Sequence, residues 1–193
     1  MTRRLAVFAS GNGTNFQAIC DAAACGNVPA DIVLLVCDQP GAGVIARAEK
    51  AGVETLVVNR KSFPSKQAFE ASIVEACRSS RTEWIILAGY MRLLGKTMLE
   101  AYPHKIVNIH PALLPSFTGL DAIGQAFRKG VKITGITVHY VDEGMDSGPI
   151  IAQKAVPVEP GDTLETLEAR IHACEHVLYP QTIAQLLAAD VVD

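Results

Sequence analysis

Long hydrophobic runs are missing from this 193-residue sequence. No segment approaches the roughly 18 consecutive apolar residues that a membrane-spanning helix needs, so no span is expected. Paired cysteines are missing too. Cys20, Cys25, Cys37, Cys77 and Cys174 are odd in number, scattered and without a C-x-x-C pair. That argues against a disulfide framework, and Cys20 and Cys25 are not at metal-ligand spacing. They read as reduced thiols, which points to the cytoplasm. Positive charge is not in excess: 17 Lys and Arg against 20 Asp and Glu give a formal net charge of −3. A broad basic surface for nucleic acid is therefore not expected. Internal repeats, low-complexity tracts and linkers are absent as well. Residues 1–10 carry two arginines and a short apolar run that meets a glycine turn at once, which reads as a strand and not a signal peptide.

What is present is a dense apolar pattern, with 49% hydrophobic residues. The length suits one domain, 1–193, with a substantial core. Apolar runs at 5–9, 31–37, 53–58, 83–88 and 105–110 read as buried strands. Helical patterns at 15–25, 44–51, 65–78 and 96–101 fall between them, with Gly26 and Gly52 as stops and Ser65 as a cap. Such alternation implies βαβ units. The expected class is α/β, with a doubly wound, mostly parallel sheet. After Pro115 the texture changes. Residues 121–129 read as a helix, and 131–141 and 150–158 as strands with no helix between them. They are expected to pair antiparallel at the sheet edge. A long C-terminal helical segment covers 163–189, where Pro180 is expected to kink or divide it.

Chemistry gathers at the end of the fifth run. Pro111 lacks an amide donor and stops the strand, leaving Asn108 and His110 at its C-terminal end. Their spacing of two puts both side chains on one face. An amide donor beside an imidazole suits acyl chemistry, since one can hold an oxyanion and the other can carry a proton. The plainer reading is a strand end with two hydrogen-bonded polar residues. Residues 10–15, Ser-Gly-Asn-Gly-Thr-Asn, follow a strand and open a helix. This is neither G-x-G-x-x-G nor a P-loop. It suits a single phosphate monoester, or else a turn required by sterics alone. Asp146, in a loop with Asp142 and Glu143, either orients His110 or belongs to a solvated acidic run. Residues 91–94 form an apolar ligand's wall or merely a strand-to-helix corner. His172-Ala-Cys-Glu-His176 matches the letters H-x-x-E-H, but no third ligand accompanies it, so no metal is expected. His104 and His139 read as ordinary surface or core residues.

Four motifs occur in order: Ser-Gly-Asn-Gly-Thr-Asn at 10–15, Ala-Gly-Tyr-Met-Arg-Leu-Leu at 88–94, Asn-Ile-His-Pro-Ala-Leu-Leu-Pro at 108–115, and Val-Asp-Glu-Gly-Met-Asp-Ser-Gly-Pro-Ile-Ile at 141–151. Together they resemble the folate-dependent formyltransferases over essentially the whole chain. The glycine turn, Glu175-His176 with Tyr179-Pro180, and the length resemble the phosphoribosylglycinamide formyltransferases of purine synthesis. The resemblance implies a Rossmann-like formyltransferase fold. Residues 1–104 would be the phosphate-binding half and 105–193 the catalytic and folate-binding half. It implies 10-formyltetrahydrofolate as co-substrate, no metal, small-molecule partners without nucleic acid or membrane, and a monomer or homodimer.

By the same resemblance Asn108, His110 and Asp146 would be catalytic. Gly13, Thr14 and Asn15 would hold the substrate phosphate, and Glu175 the rest of that ribonucleotide. Met91, Arg92, Leu93, Leu94, Asn108, Val141, Asp142, Glu143, Gly144, Met145 and Asp146 would line the folate pocket. Lys66 stands where some relatives carry a folate-contacting arginine; it keeps the charge but lacks the planar fork. Asp121 stands where some members carry histidines, and Thr118 where proline is common. Alternatives within the family are a formyltetrahydrofolate deformylase, for which an extra N-terminal domain is expected, and a methionyl-tRNA formyltransferase, for which a C-terminal RNA-binding domain is expected. A non-catalytic nucleotide-binding module would use the glycine turn alone.

Overall fold

The apolar runs become the strands of one seven-stranded sheet in the computed structural model, which describes residues 2–190. In chain order the elements are β1 (Arg3–Ala9), α1 (Thr14–Ala24), β2 (Ala30–Cys37), α2 (Gly43–Ala51) and β3 (Thr55–Val57). A 3-10 turn at Arg60–Ser62 precedes α3 (Lys66–Ser79), β4 (Trp84–Leu87), α4 (Lys96–Ala101) and β5 (Ile106–His110). Then come α5 (Ala122–Lys129), β6 (Ile133–Tyr140), β7 (Ile150–Pro157) and α6 (Leu164–Ala189). The sheet order is β3-β2-β1-β4-β5-β6-β7. The first five strands are parallel; β6 and β7 run antiparallel at one edge. The α/β, doubly wound architecture expected from the pattern is the one observed.

The central strands are continuous apolar runs because both faces are covered. Leu5, Val7 and Ala9 pack with Phe16 of α1, Val44 of α2 and Tyr179 of α6. The alternate residues Ala6 and Phe8 pack with Phe69 and Ile73 of α3 and Met98 of α4. Ser65 caps α3 as expected, its hydroxyl accepting from the Ala68 amide at 3.0 Å. The chain winds from β1 toward β3, then returns to place β4 on the other side of β1. Loops after β1 and β4 therefore meet at the carboxyl ends of the strands, where open α/β sheets bind ligands. The Ser10 amide donates to the Gly89 carbonyl there, at 3.0 Å.

Two expectations need correction. β3 is shorter than 53–58, because only Thr55–Val57 lies in register with β2, opposite Leu35–Cys37. Pro180 does not divide the last helix, and α6 runs unbroken from Leu164 to Ala189. A proline inside a helix costs about 3 kcal/mol. Packing on the sheet outweighs it: Tyr179 is fully buried, and its hydroxyl donates to the carbonyls of Leu87 at 2.8 Å and Val107 at 3.1 Å. Among the described residues no helix is long and apolar enough to cross a membrane.

The end of α6 is tied to the amino ends of the strands. Asp190 accepts from the Lys105 ammonium and from the Trp84 indole at 3.1 Å, and pairs with Arg3 at 3.1 Å. The Lys105 bond, above all, holds the Asp190 carboxyl below the usual carboxylate range. A depressed folded value means stabilisation that is present above about pH 3.9 and lost as pH falls through that depressed value. Urea melts should show Asp190→Asn less stable than the parent at pH 7, with the gap closing toward pH 3. An equal gap at both pH values would rule out this anchor as an ionic one.

Candidate active site

The antiparallel pairing of β5 with β6 sets Asn108 opposite His139 and His110 opposite Thr137. Opposed residues share a face, so His139 joins Asn108 and His110 there. Its Nδ1 bonds the Tyr140 carbonyl at 2.8 Å, and its Nε2 lies 3.2 Å from Asn108 Nδ2. A carbonyl only accepts, which puts the hydrogen of the neutral ring on Nδ1. Nε2 then accepts from the Asn108 amide nitrogen and fixes which way that amide faces. Burial, the largest influence, pushes His139 below the ordinary histidine range, which favours this neutral form.

The turn between β6 and β7 brings Asp146 to the same place. Its Oδ2 lies 3.4 Å from His110 Nδ1, and its Oδ1 lies 3.8 Å from His139 Nε2. His110 is 5% exposed, and its Nε2 donates to the Phe117 carbonyl at 2.8 Å. The imidazole is thus held between a carboxylate and a carbonyl. Asp146 Oδ2 also accepts from the Gly119 amide at 2.8 Å. Backbone strain collects around this set: Phe117 and Asp146 both have φ of 54°, while Gly119, at 79°, adopts the left-handed region without strain. A Cβ at Gly119 would also meet Met145 Sδ at 3.0 Å.

These residues floor a cleft of about 550 Å³, within the range of small-ligand sites. Met91, Arg92, Leu93 and Leu94 wall one side, with Val141, Asp142, Gly144 and Met145 on another. Of the residues expected to line it, Glu143 does not. It sits exposed on the outside of a turn closed by Asp142, whose Oδ1 accepts from the Gly144 amide and the Ser147 hydroxyl. The rim is apolar, with Met91 62% and Leu120 74% exposed. Lys66 lines the cleft, half exposed, with Nζ 3.8 Å from the buried Glu70 carboxylate. Arg60 lines it as well, donating to the Phe63 carbonyl at 3.0 Å. No motif or periodicity in the sequence marks Arg60. Asp121 takes no part: it precedes α5 and pairs with Arg128 at 2.7 Å on the surface.

The glycine turn packs against α2. Gly13 has φ of 77°, and a Cβ there would lie 2.5 Å from Val44 Cγ2, so sterics alone demand glycine. Sterics do not explain the rest. Among the described residues no side chain caps α1, and the buried Asn15 Oδ1 has no partner. Asn15 Nδ2 donates to Glu175 Oε2 at 3.0 Å, and that oxygen also bonds His172 Nδ1 at 2.8 Å. Glu175 is 3% exposed. Its hydrogen bond raises His172 above the ordinary range. The H-x-x-E-H stretch thus ties α6 to the glycine turn. No cluster of potential metal ligands occurs among the described residues.

His139 is what sequence reading missed. Its signal was faint: Thr137 and His139 are polar, two apart, and buried in a strand.

An amide, an imidazole and a carboxylate meeting under an apolar cleft define an acyl-transfer class of site. A family model described as formyl transferase matches residues 3–183, and the chain belongs to that family. More particularly, it is 58% identical to phosphoribosylglycinamide formyltransferase of Bacillus subtilis (strain 168) over 96% of this chain and 95% of that protein. It is 41% identical to the trifunctional purine biosynthetic protein adenosine-3 of Drosophila melanogaster over 96% of this chain, which spans 14% of that longer protein. Among solved structures, glycinamide ribonucleotide transformylase 1 from Geobacillus kaustophilus is 60% identical with a TM-score of 0.94, covering 97% of this chain and all of that one.

The tautomer of His139 can be read directly. Two-bond ¹⁵N–¹H correlation spectra at pH 7.5 should show it neutral with the hydrogen on Nδ1, titrating below the ordinary value of about 6.5. An Nε2–H tautomer would overturn the orientation assigned to Asn108.

Proposed function

We propose that the protein transfers the formyl group of 10-formyltetrahydrofolate to the amine of N1-(5-phospho-D-ribosyl)glycinamide. The products are the N-formyl ribonucleotide and tetrahydrofolate, a step of de novo purine (IMP) biosynthesis. The observation that carries this reading is the convergence of Asn108, His110 and Asp146 on the floor of one cleft.

The substrate phosphate sits at the amino end of α1, against Gly13, Thr14 and Asn15, where free amides favour an anion. Glu175, already held by Asn15 and His172, meets the rest of the ribonucleotide. The formyl donor enters the apolar cleft between residues 91–94 and 141–146, with Lys66 at its mouth. The amine lone pair attacks the formyl carbon, forming a C–N bond as the carbonyl electron pair moves onto oxygen. Asn108 gives one amide hydrogen to His139 and keeps the other for this oxyanion. His110 supplies a second donor by exchanging the Phe117 carbonyl for the oxyanion, while Asp146 keeps hold of Nδ1. Collapse of the tetrahedral intermediate breaks the bond to N10. The proton lost by the attacking amine is carried to N10 by His110 or a water. The enzyme thus works on two small molecules in the cytoplasm, and no covalent enzyme intermediate is required.

Spectrophotometric assay with both substrates should show tetrahydrofolate forming only when the ribonucleotide is present. Release without the amine would point to a hydrolase instead. Asn108→Ala should lower kcat about 10²- to 10³-fold, the usual cost of one oxyanion donor, with the ribonucleotide KM nearly unchanged. Near-normal turnover in that variant would remove Asn108 from the mechanism.

A further inference from the structure

Asp38 has no role in the scheme above, yet its side chain is 1% exposed. It stands one residue beyond β2, at the carboxyl edge of the sheet. Its Oδ1 accepts from the Ser10 hydroxyl at 2.5 Å. Its Oδ2 accepts from Arg92 Nε at 2.6 Å and, more loosely, from Gln39 Nε2 at 3.3 Å. Ser10 Oγ accepts in turn from the Met91 amide at 2.9 Å. A carboxylate this far from water is costly unless paired, and an ion pair kept for stability alone is often no better than apolar packing. What sets this one apart is where its donors sit. Ser10 opens the glycine turn, and Met91 and Arg92 wall the cleft. The Arg92 guanidinium also lies 5.7 Å above the Phe69 ring. Among the described residues its only hydrogen bond leaves from Nε, so its terminal nitrogens stay unengaged on a cleft-lining side chain.

We propose that Asp38 is a positioning residue that sets the cleft wall against the formyl donor and ties that wall to the phosphate turn. It acts on Arg92 directly and on the Met91 amide through the Ser10 hydroxyl. The proposal rests on the formyl-transfer reading for the identity of the donor. Asp38→Asn keeps the shape and an acceptor for Ser10, but it turns an amide donor toward the Arg92 N–H. The wall then loses a charge-assisted bond.

The test is steady-state kinetics of Asp38→Asn together with direct titration of tetrahydrofolate in the absence of ribonucleotide. Donor KM and the tetrahydrofolate Kd should both rise about tenfold, the scale of one hydrogen bond to a charged group, while kcat stays within about threefold. A variant that melts lower but keeps parental KM and Kd would make Asp38 a purely structural residue and overturn the proposal. If the parent protein fails to transfer formyl at all, the functional reading falls, and the tetrahydrofolate titration still decides the role of Asp38. Should Asp38→Asn not fold, Ser10→Ala keeps the Asp38–Arg92 pair and removes the hydroxyl that links Asp38 Oδ1 to the Met91 amide. It should weaken tetrahydrofolate about threefold, on the scale of one neutral hydrogen bond, and an unchanged Kd would likewise refute the proposal.

Discussion

The antiparallel pairing of β6 on β5 is the constraint on which the site depends. Five parallel strands could have ended in a sixth after another helical crossover. Instead the strand that follows α5 runs antiparallel to β5, and three consequences follow. His139 lands opposite Asn108. The β6–β7 turn leaves β6 beside Ile106 and Val107 and folds back, carrying Asp146 to His110. Thr137, opposite His110, donates to the Ala112 carbonyl at 2.7 Å and accepts from the Leu114 amide at 3.0 Å, holding the loop that leaves the strand. One register thus sets the amide, the imidazole and the carboxylate together. A one-residue slip would turn every β6 side chain to the other face and dismantle the set.

The remaining parts of the site come from the topology of the sheet. Loops after β1 and β4 are brought together because the chain reverses its winding direction between β3 and β4. The glycine turn and the Met91–Leu94 wall are therefore neighbours in space although 81 positions separate Ser10 from Met91, and Ser10 and Asp38 stitch them through hydrogen bonds. On the other side of the turn, Glu175 ties it to α6, whose place on the sheet is held by Tyr179. Packing and chemistry share the same residues here. That sharing explains why a 26-residue helix with proline inside remains unbroken.

Much of this could be read along the chain. The strand runs, the helices between them, the Ser65 cap and the antiparallel edge follow from periodicity and punctuation, because burial on both faces leaves a continuous apolar signature. Asn108 and His110 stood out because the spacing of two and the following proline are local facts. Other residues resisted for definable reasons. His139 looked like any core histidine, since its role depends on cross-strand register, which sequence spacing does not encode. Glu143 and Asp146 belong to one acidic loop, and only the turn geometry sends Asp146 inward and leaves Glu143 outside. Arg60 and Asp38 sat in loops whose partners lie far along the chain. The extent of α6 was legible but its continuity through Pro180 was not, because the cost of that proline is local while the packing that offsets it is not.

By itself the sequence determined the order of elements, the class of sheet and the short-range placement of polar groups, since these depend on residues within a few positions of one another. Its motifs also carried the likeness to formyltransferases. Tertiary structure alone decided which of those groups meet: which way the Asn108 amide faces, which acid reaches His110, and which buried carboxylate links the two loops. Those outcomes rest on strand register and on contacts between segments scores of residues apart, where the energy of each local choice is settled by a distant partner.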